Sequence, residues 1–295
     1  MTNSKKADLA LLFVTFGWGS SFLLSKNVIN QIEVFNFLWV RFLLAFVIAI
    51  LIFYKRMLKI DKTSLINGFV IGLILFSGFA FQTVGLNITT VSKSAFITGL
   101  SVILVPVLMS FYKKKLPGIQ IIVSVAMAIT GLGLLTLTNG VSSLNLGDIL
   151  TLVSSFLFAM HIISVGALTH KSDSITMAII QIGTVGVLSL IASFIFEKPT
   201  INLSVNAWGS LIVLSVICTL GAFVIQSIAQ KYTSSTHTAL IYSMEPVFAS
   251  IFSYIFIGEV LGLFGTIGAL MIVFGMIVAE LDFGILIRKK EKVLE

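Results

Sequence analysis

The stretch QTVGLNITTVSKSAFITGLSVILVP at residues 82–106 is answered 144 positions later by QSIAQKYTSSTHTALIYSMEPVF at residues 226–248. Extended over residues 82–131, the shift pairs Gln82 with Gln226, Thr89 with Thr233, Ala95 with Ala239, Ile97 with Ile241 and Gly131 with Gly275, and it lays Lys115 on Glu259. One pattern is therefore spelled twice, with charge at a helix end reversed in the second copy. Five spanning helices per copy is an odd number, so the second copy lies upside down in the bilayer. A basic cytoplasmic loop of the first copy then becomes an external loop, where no basic residue is wanted. Inverted repeats of this kind point to a secondary transporter, with its substrate site where the repeats meet.

Composition agrees. Hydrophobic residues make up 57% of the 295 and charged residues only 11%, against roughly a quarter charged in soluble domains. That length holds about ten spans of ~20 residues with short loops and leaves no room for a soluble domain. A net charge of +7 suggests nucleic acid at first sight, but the basic residues cluster at the ends of apolar runs, where membrane orientation accounts for them. Cys218 is the single cysteine, which excludes an intrachain disulfide and a cysteine-based metal site. Lys5-Lys6 before Leu9–Phe16 resembles a signal peptide. The run continues to Val28 without a small-x-small cleavage site, so it reads as an uncleaved first span.

The apolar runs fall at about 8–28, 35–54, 65–87, 93–112, 119–138, 148–168, 174–196, 207–230, 236–257 and 262–283. In lipid each is expected to be helical, because an open strand leaves backbone groups unpaired. With the N-terminus in the cytoplasm, fifteen of the 19 Lys and Arg residues lie inside, among them Lys113–Lys115 and Arg288–Lys290. Lys26, Lys93 and Lys198 lie outside and Arg41 lies within a span. That asymmetry places both termini in the cytoplasm. The fold expected is an all-α polytopic membrane protein of ten transmembrane helices, two inverted five-helix repeats at residues 1–142 and 143–295.

WGSSF at Trp18–Phe22, RFLLA at Arg41–Ala45, SAFITGLSVILVP at Ser94–Pro106, GDILTL at Gly147–Leu152, the Gln226–Phe248 string and IGE at Ile257–Glu259 together resemble the drug/metabolite transporter superfamily, specifically the EamA-type permeases. The resemblance covers essentially the whole chain and rests on the order and spacing of these strings. It implies a ten-helix basket that moves small metabolites, and it gives no substrate. One departure is Lys113-Lys114-Lys115-Leu116-Pro117, where the family often has an acidic-basic pair.

Polar residues inside apolar runs are costly and mark candidate sites. Glu245 lies near mid-span, and Pro246 after it cannot donate a backbone N–H, which frees the Tyr242 carbonyl one turn earlier. Thr238, Tyr242, Glu245 and Phe252 share a helix face by spacing. Glu245 is then either a substrate or proton site or a protonated tie between helices. The 144 shift puts Thr98 in the place of Tyr242 and Ser101 in that of Glu245, and Pro106 is expected to break span four as Pro246 breaks span nine. His161, matched to Ser21 by a 140 shift, is either a proton partner of Glu245 or a neutral interhelical tie. Gln82 and Gln226 either glue small-residue interfaces or flank a cavity. Trp18 lies mid-span, away from the interfacial belt, and is expected in a cavity wall. Arg41 is expected to snorkel outward, with a substrate carboxylate as its other use. Lys93, Asp148, His237, Glu259 and Glu280, near helix ends, are assigned nothing.

No HExxH, GxxxxGK[ST] or paired-cysteine pattern occurs, which leaves a zinc protease and an ATP-driven pump unsupported. A Ser20/Ser21–His161 hydrolase dyad lacks a nucleophile at a helix start. The sequence reading is a non-enzymatic permease, with export the expected direction, for a small organic metabolite such as an amino acid, amine or related cationic compound. It works by proton-coupled or exchange alternating access. The alternatives are a passive channel for a small polar solute and an intramembrane serine hydrolase. No catalytic residue, metal or cofactor is expected. The partners are a small-molecule substrate and the lipid bilayer of an inner or plasma membrane, without nucleic acid, and the chain acts as a monomer or homodimer.

Overall fold

Apolar runs punctuated by capping residues fold as a bundle of helices in the computed structural model, which describes residues 3–280 apart from 115, 139–140 and 143. In order these are α1 (Asn3–Ile29), α2 (Val34–Ile52), α3 (Lys62–Ile88), α4 (Val91–Tyr112), α5 (Ile119–Thr136), α6 (Leu146–Leu168), α7 (Ser174–Phe196), α8 (Val205–Ala229), α9 (Ser235–Ile257) and α10 (Gly262–Glu280). Among the described residues nine of them are long and apolar enough to cross a membrane, and α5 is a shorter apolar helix. The protein is an all-α polytopic membrane protein. Lys115, Arg288–Lys292 and the expected repeat boundary at 143 lie outside the described residues, as do residues 281–283 of the tenth run.

Short polar side chains start the helices. Asp61, Thr90, Asp173, Ser204 and Ser234 each accept a hydrogen bond from a backbone N–H three residues on. Asn145 and Asp148 form a reciprocal capping box that opens α6. One expectation needs correction. The fifth run does not stay helical to 138: α5 ends at Thr136, and Leu137–Thr138 pair antiparallel with Val141–Ser142. That short ladder gives the backbone groups leaving the helix their partners.

α3 packs against both α6 and α7, α2 packs on α7, α5 on α10, and α1 lies along α8 and α9. Small residues bring the axes close. A Cβ on Gly131 of α5 would lie 2.6 Å from the Gly268 carbonyl of α10, so these backbones touch as in small-xxx-small membrane interfaces. Phenylalanines Phe22, Phe37, Phe42, Phe79 and Phe223 fill the interior. Residues such as Leu51, Phe194, Phe196, Tyr254 and Phe256 point outward from the bundle, the reverse of a soluble protein's arrangement.

Two spans are broken at matching places. In α4 the helix runs Val91–Gly99, the Leu100 N–H turns back to Ile97 O at 3.1 Å, and a second helix runs Ser101–Tyr112. In α9 it runs Ser235–Tyr242, the Ser243 N–H is shared between Ala239 O and Leu240 O, and a second helix runs Glu245–Ile257. The break expected at Pro106 is therefore corrected. Pro106 sits inside the helix Ser101–Tyr112, one turn past the real interruption. Its missing N–H deprives only the Val102 carbonyl of a helical partner. Pro246 does sit at the break, in the first turn of the second half of α9, where proline is tolerated.

Candidate functional site

Between the broken halves lies a partly open cavity, about 510 Å³ when the open space at its mouth is included. It is lined by Trp18, Ser21 and Phe22 of α1, Arg41 of α2, Phe79 and Gln82 of α3, Thr98 and Ser101 of α4, Phe158, His161 and Ile162 of α6, Gln226 of α8, and Tyr242 and Glu245 of α9. All nine side chains singled out from the sequence meet here. They come from six helices, and each break contributes two: Thr98 and Ser101 in α4, Tyr242 and Glu245 in α9.

Glu245 is the first residue of its half-helix, partly exposed toward the cavity, and accepts no hydrogen bond from the described residues. Thr238, Tyr242 and Glu245 do not share one continuous helix as expected, since the break intervenes. Tyr242 nonetheless reaches the same cavity, 3% exposed, with its hydroxyl unpartnered. Its ring meets Trp18 edge-on at 5.0 Å. Trp18 Nε1 donates to Cys218 O at 3.0 Å. The Gln226 Oε1 is also buried without a partner, while its Nε2 donates to Gln230 Oε1 at 3.2 Å. Gln82 Nε2 donates to Thr98 Oγ1 at 3.2 Å. A buried polar atom left without a partner costs about 1–3 kcal/mol. Two of them facing one cavity are what a polar ligand satisfies.

His161 is tied sideways. Its Nε2 lies 2.8 Å from Gln181 Oε1 of α7, a residue the sequence reading passed over. The hydroxyls of Ser20 and Ser21 fold back onto Gly17 O and Trp18 O, at 2.8 and 2.7 Å. Neither serine hydroxyl bonds to His161, and among the described residues no group of three or more metal-ligating side chains comes together.

Arg41 was misread. It does not snorkel: it is 2% exposed and lines the cavity. Nε donates to Thr219 Oγ1 at 2.8 Å and Nη2 reaches Cys218 O at 3.5 Å. Both acceptors lie in a π-helical segment of α8, Val216–Gly221. The wider turn displaces carbonyls from the regular ladder, as π-bulges at functional sites commonly do. Nothing in the string VICTLG announces it.

Lys93, Asp148 and His237, the helix-end groups left unassigned, take part in two contacts at the ends of the bundle. Lys93 Nζ lies 3.2 Å from Asp148 Oδ2 with the carboxylate fully buried, and Thr89 donates to the same carboxylate. His237 Nε2 lies 3.1 Å from Asp8 Oδ1 at the opposite end of the bundle, with both side chains partly exposed. Glu259 accepts from Ser92 N–H at the start of α4 and from Ser253 Oγ.

The model of the EamA-like transporter family matches this chain twice, at residues 5–137 and 145–280. An uncharacterized transporter of Archaeoglobus fulgidus is 32% identical over 276 residues, covering 93% of this chain and 86% of that protein. A second uncharacterized transporter of the same organism is 25% identical, covering 92% and 96%. A crystal structure superposes with a TM-score of 0.70 at 15% identity, covering 93% of this chain and 96% of that one; at that identity the likeness speaks for the fold alone.

Proposed function

Since the chain belongs to the EamA-like transporter family and is a membrane transporter rather than an enzyme, we propose that it is a ten-helix permease. It is built from inverted repeats at residues 1–142 and 143–295 and moves a small polar or cationic metabolite through the central cavity by alternating access, with export as the direction. Both termini face the cytoplasm, following the excess of Lys and Arg at that end.

The matched breaks support the inverted repeat. Gly99–Ser101 and Ser243–Glu245 are related by the same 144 shift as the sequence repeat. The two end contacts correspond as well, through slightly different offsets: Lys93 shifts by 144 to His237, and Asp8 shifts by 140 to Asp148. One pair ties α4 to α6 at one end of the bundle, and its counterpart ties α9 to α1 at the other. Paired contacts at opposite ends of a central cavity are what a carrier with two alternating gates requires.

The single observation that carries the reading is Glu245, without a hydrogen-bond partner among the described residues, in a cavity that also takes in the Tyr242 hydroxyl, likewise unpartnered among them. A mid-membrane carboxylate kept at a cost of a few kcal/mol has a task in binding substrate or protons. The test is Glu245→Gln in proteoliposomes, following counterflow and pH-gradient-driven accumulation of amino acids and amines. We expect the variant to elute as the parent does and to keep exchange. Its gradient-driven accumulation should fall by about tenfold or more, the loss of an interaction of ~1.4 kcal/mol. Full accumulation by the variant would leave Glu245 a packing residue.

A further inference from the structure

The cavity has a second charged wall that the proposed function does not use. Arg41 lies in the membrane interior without an anion: among the described residues the ion pairs are Arg56–Asp173, Lys93–Asp148 and His237–Asp8, and none involves it. The guanidinium is held in place instead. Thr219 Oγ1 takes Nε, Cys218 O approaches Nη2, and the rings of Phe37, Phe42 and Phe79 stand with centroids 5.8, 5.3 and 5.1 Å from Cζ. Ring faces attract a cation, but they neither neutralise it nor accept its N–H bonds. Nη1 donates to no described residue, and Arg41 forms part of the cavity lining. A buried charge lacking a counterion is stable only if water or a ligand serves it.

We propose that Arg41 is the anion-binding end of the cavity and Glu245 its cation-binding end, so that the permease recognises zwitterions through a carboxylate held by Arg41. The inference rests on the transporter reading and narrows its substrate class. Arginine's planar fork matches a carboxylate with two parallel N–H donors, and it is pre-oriented here by the π-helical turn of α8. A phosphate offers the same oxygens but carries more negative charge, which Glu245 in the same cavity disfavours. The two ends are linked through Trp18, which shares the Cys218 carbonyl with Arg41 and rests its ring on Tyr242. A simple amine leaves Arg41 unpaired, and a simple carboxylate leaves Glu245 unpaired. Only a molecule carrying both charges serves both walls.

The experiment is a melting-temperature and calorimetric titration of the full chain in detergent. The probes are matched triads of an L-amino acid, the amine lacking its carboxylate and the acid lacking its amine, with glycine-sized, aliphatic, aromatic and basic side chains, plus the O-phosphate of the corresponding amino alcohol. For at least one triad the amino acid should bind about tenfold or more tighter than either partial analogue and than the phosphate, a margin of ~1.4 kcal/mol. Arg41→Lys keeps the charge and loses the fork, and Arg41→Gln loses both. Each should erase the advantage of amino acid over amine. Thr219→Val, which keeps the guanidinium itself but removes the acceptor that orients it, guards against misfolding of the Arg41 variants and should weaken the amino acid alone. An amine that binds as tightly as its amino acid and responds to Glu245→Gln but not to Arg41→Lys overturns the anion site and leaves the transporter reading standing. Tightest binding of the phosphate, or no shift with any triad, overturns the zwitterion assignment as well.

Discussion

Gly19 explains why the WGSSF string matters beyond its tryptophan. A Cβ there would stand 2.6 Å from Phe248 Cβ, 3.0 Å from Glu245 O and 3.1 Å from Ala249 N. Two of those three atoms are backbone and cannot swing aside, so α1 meets α9 at the turn that presents the carboxylate. Gly19→Val should push the helices apart at the site and cost about 1–3 kcal/mol, the usual range for overpacking. Its effect on binding of any transported solute should exceed that of Gly209→Val, where an added Cβ meets nothing within 4 Å. Melting curves and binding titrations on both variants check this, and equal effects would remove Gly19 from the site. Glu245, His161, Gln82 and Gln226 were legible as cavity candidates because a carboxylate, an imidazole or an amide inside an apolar run is costly enough to need a reason, whereas Phe22, Phe79, Phe158 and Ile162 carry no such signal. Arg41 was misread because a side chain long enough to reach the headgroups from six residues inside gives no sign of its direction. That direction is set by Thr219 and Phe79, distant in sequence, acting with Phe37 and Phe42 of the same helix.

Helices were readable to within a few residues because lipid leaves the backbone no other option. Their breaks were not. The proline signal pointed to Pro106, whereas α4 breaks six residues earlier, at Leu100. Only the 144 shift, carried from Tyr242–Glu245 back to Thr98–Ser101, holds that information. Caps offer a test of a different kind. Burial works to raise the Asp173 carboxyl. Hydrogen bonds from the Thr176 N–H and hydroxyl, with Arg56 close by, outweigh it and hold the group below the ordinary carboxylate value. A pKa depressed on folding contributes stability above the unfolded value of about 3.9, and that contribution fades as pH falls through the folded value. Asp173→Ala should therefore cost about 1 kcal/mol at neutral pH, as loss of an N-cap does, and the gap to the parent should narrow as the medium is acidified below about pH 4. A gap that stays constant down to pH 3 in thermal unfolding would show that the cap's charge adds nothing.

At the scale of the whole molecule the two end contacts differ in burial. Asp148 is fully buried against Lys93, while Asp8 and His237 are both partly exposed. Removing one partner of a buried pair costs about 3–5 kcal/mol, whereas an exposed pair contributes roughly 0–1 kcal/mol. In the proposed orientation the buried pair closes the external end, so the conformation with that end shut is the one held more tightly. Two states a few kcal/mol apart exchange rank when such a contact is lost, and each 1.4 kcal/mol shifts their ratio about tenfold. A cysteine at Thr98 or Tyr242, in a Cys218→Ser background, reads the outcome through a membrane-impermeant thiol reagent added from one side. Asp148→Asn and Lys93→Met should each speed labelling from outside by about tenfold or more, and Asp8→Asn should change it little. A transported solute should shift labelling from one side to the other in the parent. Two variants at the buried pair are needed because Asp148 also closes the capping box of α6, which Lys93→Met leaves intact. Labelling that is equal from both sides and unmoved by either substitution or by solute would describe a standing pore. In that case the symmetry of the breaks would serve the packing of ten helices and not their motion.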